Sequence, residues 1–244
     1  MIEQVVAPGR ARLVGETVAR TALAPAQVEA MLRLFQAHYE GVERDYFLRD
    51  LAGKDQVILL RDPAQGTLQG FSTLAIGETC AQGRRLTVVY SGDTIVHPAY
   101  WGTPALPSVW IKSVLALTAG MAQPVYWLLI SSGYKSYRFL PVFYREFYPC
   151  VGKPTPPAVK ALMDELATAR FGDEYDPNTG VVRFGQGATP LRAGVAEVSR
   201  ERLRDPHVRF FVERNPGHVQ GDELVCLTRI HPDNFTPAGR RVAR

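Results

Sequence analysis

The sequence predicts an α/β (α+β) fold: a mixed, mostly antiparallel central sheet with helices on both faces. Three observations predict it. The apolar runs 56–61 (QVILLR) and 68–76 are separated by Asp62-Pro63 and Gly66, the punctuation of a hairpin. The run 125–130 (VYWLLI) is almost wholly apolar, as a strand buried on both faces should be. Helical periodicities stand before the hairpin and between the later strands, in an order too irregular for a TIM barrel or a doubly wound parallel sheet.

Taken in order, residues 13–20 alternate loosely and form a candidate first strand. Pro25 suits a first helical turn, and Val28, Met31, Leu32, Phe35 and His38 recur at helical spacing to Tyr39. A second helix is expected over 43–51, with Val42, Tyr46, Phe47 and Leu51 on one side. After the hairpin, RRLTVVYSGDTIVHP reads as one long strand from Arg84, broken at Ser91-Gly92-Asp93; a glycine inside a strand pattern marks a bend or bulge. A turn, AYWGTPALP, opens a helix with Pro104 in its first turn and Gly120 beyond its end. The apolar strand 125–130 follows it, lying beside the bent strand, parallel to it and diverging at Ser131. An aromatic helix is then expected over FLPVFYREFYP. Pro149, Pro154, Pro156 and Pro157 mark a junction, so residues 1–150 read as a core and 151–244 as a C-terminal extension. That extension is expected to hold a helix over 158–170, a loop-rich excursion over 172–194 with one short strand (VVRF), and strands over 208–213 and 223–230.

A hydrophobic content of 46 % and an aromatic content of 10 % in 244 residues support a packed core and not disorder. No apolar run approaches the roughly 20 residues of a membrane span. The N-terminus, MIEQVVAPGRARLVG, has no continuous apolar stretch of the secretory kind. Cys80, Cys150 and Cys226 are odd in number and far apart, as expected of reduced thiols in the cytoplasm rather than a disulfide frame or metal site. The histidines have no metal-ligand spacing, so no metal is expected. A net charge of +4 spread over scattered arginines excludes a dense nucleic-acid stripe. It suits a basic rim that attracts a phosphorylated co-substrate or an acidic carrier protein.

Over roughly residues 13–149 the chain resembles the GNAT superfamily, the Gcn5-related N-acyltransferases. The resemblance rests on Ile95-Val96-His97-Pro98 at the end of the bent strand, on Tyr100-Trp101-Gly102-Thr103-Pro104-Ala105 in the following loop, and on Phe143-Tyr144-Arg145-Glu146-Phe147. It implies an acyltransferase that moves an acyl group from an acyl-CoA or a 4′-phosphopantetheine thioester on an acyl carrier protein to an amine. The acceptor would be a small molecule or a peptide. In the family the loop amides at the helix start hold pyrophosphate, which would place Ile95, Val96, Trp101, Gly102, Thr103 and Ala105 against the donor. Ser131 and Ser132, where the strands part, would pair with pantetheine amides. Only one loop glycine is present, and Pro104 stands where a second would be, with no amide to offer. The donor's pyrophosphate should therefore be gripped weakly. A catalytically inert GNAT-like binding module for an acyl carrier or a lipid-like ligand is the alternative.

The chemistry of amine acylation selects the remaining candidates. A base must take a proton from the incoming ammonium, and Asp93 or His97 could do so. Tyr144 is the candidate acid for the departing thiolate, since a phenol pKa near 10 approaches that of a thiol. Lys135 and Arg138 follow the buried strand and could meet phosphate. Tyr46, Phe47, Tyr100 and Trp110 are the candidate substrate-contacting residues, the last two beside Trp101 in an aromatic group able to floor an acyl channel.

Overall fold

The computed structural model describes residues 13–244. Its frame is one eight-stranded sheet in the order β1-β2-β3-β4-β5-β8-β7-β6. The strands are β1 (Val14–Ala19), β2 (Gln56–Arg61), β3 (Leu68–Ala81), β4 (Arg84–Val96), β5 (Val125–Ser131), β6 (Tyr175–Asp176), β7 (Val181–Val182) and β8 (Glu223–Arg229). All neighbours run antiparallel except β4 and β5, which pair in parallel from Thr87↔Val125 to Ser91↔Leu129. The 56–76 hairpin is present: Asp62 accepts from the amides of Ala64 and Gln65, and Gly66 takes a positive φ of 67°. β3 runs further than its apolar stretch suggests, because the Gln82-Gly83 turn, both residues at positive φ, pairs it with β4 to its end.

The bend at Gly92 is a bulge. Ser72 pairs with Thr94 and Leu74 with Ser91, so Thr73 alone opposes both Gly92 and Asp93. The extra residue reverses the alternation of β4. Val89 packs on one face of the sheet, while Ile95, which would otherwise share that face, packs on the other with Phe71.

Helices cover both faces. On one face lie α1 (Pro25–His38), α2 (Arg44–Ala52) and α6 (Pro157–Phe171); on the other lie α3 (Ala105–Leu117), α5 (Phe139–Phe143), α7 (Pro206–Arg214) and α8 (Pro237–Ala243), with the single turn α4 (Tyr134–Tyr137) leading into α5. No helix among the described residues is long and apolar enough to cross a membrane.

Three expectations need correction. Residues 208–213 are not a strand: Asp205 caps the His207 amide, Pro206 opens α7, and Val208 and Phe211 are buried one helical turn apart. The aromatic segment is helical only to Phe143, since Tyr144 is extended (φ −119°, ψ 142°) and forms a bridge with Phe235. Pro104 is not inside the first turn of α3 but caps it, and Pro107 occupies its third position. Within the 172–194 excursion, β6 and β7 form a small hairpin that joins the sheet through β8.

Candidate active site

β4 and β5 are paired only as far as Ser91 and Leu129, and β5 continues beyond that point between β4 and β8. From this fork a cleft of about 1700 Å³ opens, lined by residues 92–96 of β4, 128–131 of β5 with Ser132 beyond it, and the first turn of α3. The bulge turns Asp93 into it. Glu223, the first residue of β8, lies one position past the Ser131↔Leu224 pair and enters the same space. Two carboxylates thus flank the end of β5, one from each neighbouring strand.

Their environment raises both pKa values. Burial pushes Asp93 up to about 7, helped by the charge of Asp50 and opposed by that of Lys54. Burial likewise pushes Glu223 up to about 8, with Asp93 and then Asp50 adding to the effect. Lys54 is almost fully buried and spans to Asp50, donating to its side chain and, at 3.2 Å, to its main-chain carbonyl. Tyr39, Tyr46 and Tyr90 complete the wall. Burial raises all three phenols, with Asp93 and Glu223 contributing in each case, and Tyr46 rises to about 12. His38, at the end of α1, donates from Nδ1 to the Leu34 carbonyl at 2.8 Å. Its Nε2 is buried without a partner at the cleft wall, and burial lowers its pKa.

Toward the start of α3 the wall changes character. Trp101 is 38 % exposed, its Nε1 donates to the Val96 carbonyl at 2.7 Å, and the Lys135 Nζ stands 3.7 Å from its ring centroid. Lys135 also donates to the Val195 carbonyl, and burial together with neighbouring Arg202 lowers its pKa. Arg138 lines the cleft but is paired with Asp205 at 3.1 Å. Gly102 has a φ of 80° with open space on its Cα, where a side chain would be strained by the backbone alone. The first helical bond of α3 runs from the Ser108 amide to the Pro104 carbonyl. Pro104 and Pro107 have no amide to offer, so Ala105 and Leu106 supply the N–H groups this helix start can present to an anion.

The structure brings together Asp93, Ile95, Val96, Trp101, Gly102, Thr103, Ser131, Ser132, Lys135, Arg138, Tyr46 and Tyr100 along one cleft. Others it places elsewhere. His97 is exposed on a separate groove with Leu34 and Gln69, and its Nδ1 accepts from the Ala99 amide. Tyr144 is 1 % exposed between Trp127 and Phe235, away from the cleft, with its hydroxyl unpartnered. Phe47 packs under α1 against Phe35, and Trp110 stacks on Trp127 at 4.2 Å in the core. The Ala105 side chain packs against that core as well. Glu223, Asp50, Lys54, Tyr39, Tyr90 and His38 were not singled out from the sequence. Only the i,i+4 spacing of Asp50 and Lys54 hinted at a pair, and that spacing ordinarily marks a solvated helix surface.

No family model matches the chain, and no curated protein does. Solved structures share part of its fold. A conserved protein from Enterococcus faecalis described as a probable N-acyltransferase is 17 % identical over 55 % of this chain, with a TM-score of 0.41, and the chain covers 33 % of that protein's length. The Escherichia coli GNAT family N-acetyltransferase YhbS, in complex with CoA, is 14 % identical over 52 % of this chain and 68 % of its own, with a TM-score of 0.38. Escherichia coli ElaA is 20 % identical over 58 % and 95 %, also at 0.38.

Proposed function

We propose that the protein is an acyltransferase that moves an acyl group from a pantetheine thioester to an amine at the fork between β4 and β5. The observation that carries the reading is the pair Asp93 and Glu223 on either side of the β5 end. Two raised carboxylates in a cleft can hold one proton near neutral pH, which is what removal of a proton from an ammonium requires. The freed nitrogen attacks the thioester carbonyl, a C–N bond forms, and the C–S bond breaks. The second nitrogen proton leaves with the thiolate as the free thiol. Tyr144 cannot reach that thiolate from the core. Tyr134, at the start of α4 and ahead of that aromatic run, lines the cleft and relays this proton, giving its phenol proton to the thiolate and regaining the one that leaves the nitrogen.

The donor end supports a pantetheine arm better than tight capture of a whole coenzyme. Two amides remain at the α3 start, with Lys135 close by, and this suits a single phosphate more than a pyrophosphate. A carrier-protein thioester is therefore the favoured donor, with acyl-CoA usable at higher concentration. The test is mass spectrometry of the protein incubated with acyl-CoA or acyl carrier protein and a mixture of amines, with thiol release followed in parallel. An N-acyl product that disappears in the Asp93→Asn, Glu223→Gln double variant supports the reading. Absence of thioester consumption from either donor overturns it, and donor binding without turnover favours the inert binding module.

A further inference from the structure

We propose that the acceptor is an amino acid, with its ammonium between Asp93 and Glu223 and its carboxylate on Arg170. The inference rests on the acyl-transfer reading for the fate of the amine but not for its binding.

The charges around the fork do not cancel locally. Lys54 is committed to Asp50. Among the described residues neither Asp93 nor Glu223 has a cation within ion-pairing distance, and Arg170 has no carboxylate. Yet they share a neighbour. The Arg170 guanidinium lies 3.5 Å from the centroid of the Tyr90 ring, and the Tyr90 phenol feels the charges of Glu223, Arg170, Asp50 and Asp93. The Tyr90 ring thus carries a cation that has no carboxylate partner among the described residues, and Arg170, Tyr90, Asp93 and Glu223 all line the same cleft. Tyr90 itself is 7 % exposed, and its hydroxyl makes no hydrogen bond among the described residues.

A ligand with both signs of charge answers each of these features. Its ammonium meets the carboxylates, its carboxylate meets the planar fork of Arg170, and its polar groups pass the Tyr90 hydroxyl. A simple monoamine leaves Arg170 unmet, and a polyamine sets a second cation against it. A protein N-terminus carries an amide where the carboxylate belongs. Phe171 and Phe184, in edge contact with each other, form an apolar wall beside Arg170 and Tyr90 and suit an aromatic or large aliphatic side chain.

The experiment uses phenylalanine, phenylalanine amide and phenethylamine, which share a side chain and an amine and differ in the carboxylate. Thermal shift without donor reads binding, and thiol release with donor reads turnover. Phenylalanine should raise Tm more than either analogue and be acylated with at least tenfold higher kcat/KM. In Arg170→Gln that preference should fall at least tenfold, and Arg170→Lys should restore only part of it. Equal binding of the three probes, no shift with any, or an unchanged preference in Arg170→Gln overturns the assignment. Carboxylate-dependent binding without thioester consumption keeps the amino-acid assignment and removes acyl transfer; efficient acylation of all three equally does the reverse.

Discussion

Lys54 lies directly over Gly92: a Cβ added at Gly92 would stand 2.7 Å from Lys54 Cε and 2.8 Å from Thr73 Oγ1. The missing side chain at the bulge is therefore the space through which the lysine reaches Asp50. Gly92→Ala forces that side chain aside. Overpacking of this kind costs about 1–3 kcal/mol. Thermal denaturation should show a Tm lower by roughly 3–10 °C for a chain of this size, and an unchanged Tm would mean Lys54 adapts freely.

Asp93→Asn removes one of the two carboxylates at the fork and should lower kcat/KM about 100- to 1000-fold. It should also change how stability depends on pH. A carboxylate whose pKa is raised on folding holds its proton in the native state after the unfolded chain has lost it. Stability from Asp93 and Glu223 is thus complete below about pH 4 and declines as pH rises toward their native values of about 7 and 8. The native protein should unfold at lower urea at pH 8.5 than at pH 5.5, and Asp93→Asn should flatten that slope. A stability that rises over this interval would contradict the raised pKa values of the pair.

Lys54→Met takes away the one cation that opposes the rise in Asp93. The rising limb of the pH–rate profile should move to higher pH by about half a unit or more, whereas a merely structural lysine would lower activity evenly at every pH.

Tyr144→Phe deletes a buried hydroxyl that has no partner. Because that group is desolvated without compensation, the variant should be as stable as the parent or more stable by about 1 kcal/mol. Its kcat should stay within about twofold. A hundredfold loss would place Tyr144 in the reaction and require the core to open around it.

Pro104→Gly and Pro107→Ala each return an amide to the start of α3. Each should tighten CoA binding by about 1 kcal/mol if the restored N–H meets phosphate. Calorimetry on the single and double variants checks this, and tight binding of CoA by the unaltered protein would defeat the premise.

Much of the frame was legible because its signals are local. The apolar run at Val125 demanded two covered faces, and Gly92 announced a break in β4. Pro25 and Gly120 marked helix boundaries. The site was less legible for a physical reason. Asp93 is marked by its own neighbours, but nothing near Glu223 announces a role, and the two meet only because β8 pairs with β5 across the sheet. Tyr144 misled because the aromatic run around it looks helical. The bridge to Phe235, a partner far along the chain, ends the helix one residue earlier. Residues 208–213 misled through their aromatic and β-branched content, which the Asp205-Pro206 start overrode.

The placement of β8 also bears on how the protein comes into being. Its partner β5 is translated long before it, so a growing chain holds a sheet that ends at β5, with an open edge and one carboxylate at the fork. The second carboxylate arrives on the strand that closes this edge. Competence and edge protection are therefore acquired in a single late pairing event, and chains halted before β8 should be at once inactive and prone to associate through β5.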